Sequence, residues 1–332
     1  METAVQRIQG GAGVAFERRI KRGESEGIML KTIKKSRKKF VGKKKAVVKV
    51  RFPFYSFSLY EEDIRKIDKV NDQGFLNDSV VDFFLNHLVF HLLDESPSRV
   101  HVFPSALWYF MKGHQDHDRE EDEDKISVRS EVSDLIKIQN HEYKLKQLTL
   151  SLEGIDLFDF DYLLFPIFNN GHWSLILVCQ PYLLTFAGTN AEEENLSAAF
   201  IIFDSDMKNE PQHFNNAGTL ADFIKAQHKI VVDRSQRESS EGKTNTVPDL
   251  TILDKPKGLN YSVVLPVGMP QQLHAADSGV FMLEYAERFF TNTPNTQTIL
   301  ENGFDFAATY PDFSVDQKRR ELMEVIRQFS AY

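Results

Sequence analysis

One cysteine in 332 residues, Cys179, leaves no disulfide framework and no cysteine-based metal site to build on. Its isolation also suits a reducing compartment. No apolar run approaches the length that spans a bilayer, and the first thirty residues lack the apolar segment of a secretory signal. The expectation is a soluble intracellular chain with no membrane partner. Acids are missing too, but only locally: residues 31–51 hold eleven Lys or Arg and no Asp or Glu, within a chain of net charge −8. The body is therefore more acidic than the total suggests and repels phosphate, which argues against a nucleic-acid partner. Two basic clusters, "KKSRKK" and "KKK", fit a nuclear import signal or a solvated tail. Residues 1–50 show little periodicity and are expected to form a flexible basic extension, with nuclear, and also cytoplasmic, residence.

The sequence does have the means for a sizeable core, with 42% hydrophobic residues and 27 Phe. Residues 58–70 read as a short helix capped from Ser58, and 73–94 as a long one with Asn77, Asp78 and Ser79 as candidate caps. Asp78 and Asp82 share a face of that helix, where two carboxylates repel by a few tenths of a kcal/mol, roughly. They suit either a cap with a solvated acid or a surface that meets a cationic partner. Residues 101–112 read as an apolar element whose helix starts after Pro104. The stretch 114–125 carries seven acids beside His114 and His117. It is expected to be a solvated acidic loop rather than a metal site. No metal and no cofactor is expected.

Past residue 160 the pattern changes to strands. Segments 161–169, 172–180, 198–205 and 260–268 are short, rich in β-branched or aromatic residues, and bounded by Asn, Gly, Pro or Asp. A helix is expected over 217–232, a polar surface insertion over 233–258, and a last helix over 314–329 opened by a capping box of Ser314 and Gln317. Helices, a small sheet, then further helices make an α+β domain over 51–332.

The segment "MPQQLHAADSGVFMLEYAERFF", 269–290, joins a proline-turned loop to an amphipathic helix and places Ser278 where that helix begins. There the hydroxyl is either a plain N-cap or a group poised at the positive helix end. A nucleophilic hydrolase needs a nucleophile, a base, a group that orients the base, and oxyanion donors. His172 begins one strand and Asp204 ends another, so antiparallel pairing would bring them together. Gln272 lies six residues before Ser278 and could supply an oxyanion donor. Cys179 is seven residues along the strand from His172, roughly 23 Å away at strand rise, too far to exchange a proton. It reads as a buried apolar residue.

The motifs "GFLNDSVVDFFL", "GHWSLILV", "IIFDSD" and "PQQLHAADSGVF", in that order, resemble the Ulp/SENP group of papain-like cysteine proteases, which release SUMO and related ubiquitin-like modifiers. The resemblance covers residues 55–330. It implies His172 as base, Asp204 as orienting acid, Gln272 as oxyanion donor, and Trp173 and Phe75 as walls of a tunnel for a Gly-Gly tail. Asp78 and Asp82 would meet basic residues of the modifier, and a monomer is expected. The family's nucleophile is Cys, whereas this chain has Ser278. A thiol at a helix start beside His ionises near neutral pH, and a hydroxyl does not. Little isopeptidase activity is therefore expected. Three readings remain open: a protease with its Cys exchanged by design, a natural pseudoprotease that binds modifiers as an adaptor, and a serine hydrolase using Ser278, His172 and Asp204.

Overall fold

A computed structural model describes residues 46–52, 55–68, 74–92, 99–112, 152, 155–185, 196–206, 210–239 and 261–330. The segments around 162–204 are almost continuously apolar because they form the middle of a sheet covered on both faces. Its five strands are β3 (Val100–Val102), β4 (Tyr162–Asn169), β5 (His172–Cys179), β6 (Ala198–Asp204) and β7 (Tyr261–Val264), in that spatial order. The central pairs β4–β5 and β5–β6 are antiparallel, and the outer pairs β3–β4 and β6–β7 are parallel. The fold is α+β with a mixed sheet. A separate hairpin, β1 (Val48–Arg51) with β2 (Ser56–Leu59), precedes it.

Alternation along β5 and β6 divides the core in two. Leu175, Leu177 and Cys179, with Ile201 and Phe203, face one cluster. That side is closed by helices α2 (Asp78–Leu92), α5 (Ser278–Thr291) and α8 (Lys318–Ser330). Ile176, Val178, Phe200 and Ile202 face the other cluster, closed by α3 (Ala106–Lys112) and α4 (Glu210–Ser239). The remaining helices are α1 (Glu61–Ile67), α6 (Thr296–Asn302) and α7 (Phe306–Thr309).

Several local expectations need correction. Ser58 caps no helix: it pairs with Lys49 in the hairpin, and α1 starts after Tyr60, whose N–H donates to Asp63 Oδ2 at 2.8 Å. Consequently the part of the basic extension that is described, 46–50, runs into strand β1; residues 31–45 lie outside the described residues. His101 and Val102 belong to β3, while the helix of that segment does follow Pro104. The helix expected over 217–232 is longer at both ends, so 233–239 of the supposed insertion are helical, and 240–258 lie outside the described residues, as does the acidic loop 114–125. The last helix begins at Lys318, not Ser314. The Ser314 hydroxyl accepts from Asp316 N–H in a local turn, and Gln317 stands before the helix with its carbonyl accepting from Arg320 and Glu321.

Candidate active site

A two-residue turn sets the register of the site. Asn170 and Gly171 both have positive φ, 49° and 79°, the conformation an Asn-Gly hairpin turn supplies. They pair Asn169 with His172 and so make His172 the first residue of β5. One strand over, Asp204 sits opposite Ser174, which puts its side chain on the diagonal neighbour, His172, on the same face. His172 Nε2 donates to Asp204 Oδ1 at 2.5 Å. Asp204 is 3% exposed and His172 24%.

Asp204 has further partners. Nε2 of buried His213, from α4, lies 3.0 Å from Oδ2, off the line of a hydrogen bond. The backbone N–H of Asp206 donates to Oδ1 at 2.7 Å. Burial opposes the charge on Asp204. The hydrogen bond from His172, the nearby His213 ring, the charge of His172 and the Asp206 N–H outweigh it and hold the carboxyl down at about 2. Because Asp204 takes Nε2 of His172, Nδ1 is the nitrogen left for a nucleophile.

Ser278 begins α5 and is fully buried. In a two-residue hairpin the closing pair carries the paired hydrogen bonds, so the N–H of the next residue, Trp173, points to the β6 side. There β6 has already ended at Asp204. Ser278 Oγ takes that unmatched donor at 3.1 Å and gives its own proton to Ala275 C=O at 3.3 Å. Helix α5 can approach this closely because residue 279 is Gly: a Cβ there would meet Trp173 Cδ1 at 3.1 Å and Leu76 Cβ at 3.2 Å.

Gln272 lies on the neighbouring loop. Its N–H donates to Ser205 C=O at 3.1 Å, and its Oε1 accepts from Ser205 Oγ at 2.5 Å. With Oε1 occupied, Nε2 is the end of the amide available to a developing oxyanion. Ser205, 2% exposed, was not among the expected site residues, although it directly follows Asp204.

The expected substrate-binding residues divide. Trp173 is 2% exposed, with its indole N–H donating to Leu76 C=O at 2.8 Å and its ring 4.7 Å from that of Phe168. Phe75, half-buried, immediately precedes Leu76. Phe168, exposed at the end of β4, is the aromatic beside Trp173 that sequence reading missed; a large apolar residue next to an Asn-Gly turn was the available signal. Asp78 is half-buried at the start of α2. Asp82 is not a surface acid: it is 8% exposed, and its oxygens accept from Ser105 N–H at 2.8 Å and Ser105 Oγ at 3.2 Å. Those bonds offset the cost of burying it, and they fix the turn into α3.

A second set of contacts holds the turn before Ser278, 275–277. Arg319, from α8, donates to Asp277 Oδ1 at 2.6 Å and to Ala276 C=O at 3.4 Å. It also donates to the carbonyls of Gly74 at 3.0 Å and Ile67 at 3.3 Å. Cys179 is fully buried within β5, its thiol pushed up to about 12 by burial, and takes no part in the site. Among the described residues no group of three or more His, Cys, Asp or Glu is placed to hold a metal ion, and no helix is long and apolar enough to cross a membrane.

The arrangement contains parts that acyl-transfer chemistry uses: an imidazole held by a carboxylate, a side-chain amide with a free donor end, and a hydroxyl at a helix start. The chain is 31% identical over 286 residues to ubiquitin-like protease 4 of Caenorhabditis elegans, covering 86% of this chain and 62% of that protein. It is 22% identical over 296 residues to sentrin-specific protease 7 of Homo sapiens, covering 78% and 26%. It thus spans less than two thirds of the length of these relatives. A crystal structure of a de-sumoylating protease superposes with a TM-score of 0.51 at 13% identity, covering 86% of this chain and 91% of that one, a likeness of fold. The family described as "Ulp1 protease family, C-terminal catalytic domain" matches residues 74–322, and this chain belongs to it.

Proposed function

We propose that this chain binds SUMO or a closely related ubiquitin-like modifier, with the Gly-Gly tail directed past Trp173, Phe168 and Phe75 toward His172 and Gln272. By fold and site it is a deconjugating and processing protease whose hydrolysis is strongly impaired by Ser278. One observation carries this reading. The Asp204–His172 pair and the Ser205-held Gln272 are assembled, while the Ser278 hydroxyl gives its proton to Ala275 C=O rather than to a base. A Ser nucleophile works by passing its proton to the base during attack, and loss of the proper nucleophile costs on the order of 10⁶ in rate.

The test uses a modifier with an electrophilic C-terminus, presented to the native chain and to Ser278→Cys. Covalent labelling of Ser278→Cys alone is expected. Labelling of both would establish a serine hydrolase instead, and failure of both to label or bind would remove the modifier reading. Binding of conjugates by the native chain, without cleavage, is the outcome that an adaptor role requires.

A further inference from the structure

Arg319 sits on the last helix, far in sequence from the Asp204–His172 pair. Its one guanidinium nevertheless touches three separate segments. It meets the C-terminal end of α1 at Ile67, the start of the segment leading to Phe75 and Leu76 at Gly74, and the turn before Ser278 at Ala276 and Asp277. Its side chain is 13% exposed and that of Asp277 22%, so the pair is largely withdrawn from water and only weakly screened. Only a planar fork of donors makes these bonds together; an ammonium is a point charge without that reach.

Two consequences bear on position 278. Leu76 contacts Gly279 and accepts the Trp173 indole proton, while Ala275, in the turn, accepts from Ser278. The segments joined by Arg319 are thus the ones that fix the nucleophile against the tunnel wall. Asp277 also places a carboxylate one residue before the nucleophile, where a negative charge opposes an anionic sulfur, and Arg319 offsets that charge.

We propose that Arg319 is a positioning residue for chemistry at position 278, holding the 275–277 turn in register with Leu76 and cancelling the charge of Asp277. This rests on the reading of position 278 as a nucleophile site. The charged and titratable groups on the elements packed about position 278 are His172, next to Trp173 in β5, with its partner Asp204; Asp78, two residues after Leu76; His274 and Asp277 from the turn and its approach; and Arg319 from α8.

The test is the pH titration of thiolate ultraviolet absorbance in the full chain carrying Ser278→Cys, a readout that needs no reagent to reach a buried position; the only other thiol, Cys179, is pushed up to about 12 by burial and titrates apart. Adding Arg319→Gln is expected to raise the apparent pKa of the introduced thiol by about one unit, a tenfold loss of thiolate below that pKa. Adding Asp277→Asn instead is expected to lower it by a similar amount, and the two together to cancel. A merely structural role moves both single variants in the same direction, and that result overturns the proposal. So does a pKa unchanged in both.

Hydrogen exchange reads the positional half in the native chain. In Arg319→Lys the amides of 275–280 are expected to exchange about tenfold faster than in the native protein, with those of α4 unchanged. Native-like protection of 275–280 in that variant overturns the positional half. Should Arg319→Gln fail to fold, Asp277→Asn alone still decides the sign of the electrostatic effect. The thiolate titration uses no modifier, so a modifier that fails to label Ser278→Cys removes the functional reading while leaving this one standing or falling on its own result.

Discussion

At the scale of single residues, the site depends on side chains whose other contacts leave one atom free for chemistry. Gln272 is the clearest case: Ser205 occupies Oε1, which fixes the amide with Nε2 as the end presented to a reacting carbonyl. In the Ser278→Cys background, Ser205→Ala is expected to slow cleavage of a modifier fusion by about tenfold, and Gln272→Ala by about 10²-fold or more. Both should act on kcat with KM nearly unchanged, as loss of transition-state contacts requires. A Ser205→Ala effect confined to KM would contradict this role. Sequence reading paired His172 with Asp204 because the start of one strand and the end of its antiparallel neighbour meet, and it put Gln272 on the loop leading to Ser278. It could not reach Ser205 or Arg319, since a Ser after a strand and an Arg in an amphipathic helix have no pattern of their own. It misjudged Asp82 because exposure there depends on which turn packs on α2, and that is set by Ser105, twenty-three residues away.

At the scale of elements, α5 and α8 are joined by ions rather than only by apolar faces. Lys318, the first residue of α8, is 3% exposed and pairs with Glu284 at 2.7 Å and with Glu287, both on α5; Arg288 joins Glu284 at 2.6 Å. A cation at a helix N-terminus opposes the helix dipole, so Lys318 relies on those acids. Burial works against its charge, and the two glutamates outweigh it and raise its pKa. Lys318→Met is expected to destabilise the protein by about 3 kcal/mol by leaving Glu284 a poorly compensated buried charge, with Glu284→Gln in the same chain recovering part of the loss. Urea unfolding of the native protein and the two variants measures both. β4, β5 and β6 were legible because two covered faces leave a continuous apolar run. The β1–β2 hairpin was not, since "SFSL" before "YEEDIRKI" merges into one helical pattern, and its pairing with Val48–Arg51 depends on a basic segment that reads as a tail.

At the scale of the whole molecule, the core contains a histidine it can hold only in the neutral form. His101 in β3 is fully buried, its ring 4.6 Å from Phe103 and 5.1 Å from Phe160, and burial lowers its pKa to about 3. The unfolded chain takes up a proton as pH falls below about 6.5, and the folded chain refuses it until pH nears 3. Stability is therefore complete above pH 6.5 and declines as pH falls, by about 2 kcal/mol between pH 6.5 and 5. His87, lowered to about 4 by burial and by His91, pulls the same way. Urea midpoints at pH 7 and pH 5 should separate clearly for the native protein and less for His101→Phe; an equal separation in both would assign the acid sensitivity elsewhere.

The early end of β6 has a chemical consequence of its own. A third strand running one residue further would have consumed the Trp173 N–H within the ladder. Stopping at Asp204 keeps that backbone dipole aimed at whatever atom stands at position 278. To a hydroxyl it gives one ordinary hydrogen bond; to a sulfur anion it gives a fixed partial positive charge, added to that of the helix end. The early stop of β6 thus provides a donor that would serve the sulfur of Ser278→Cys more than it serves the hydroxyl it now meets.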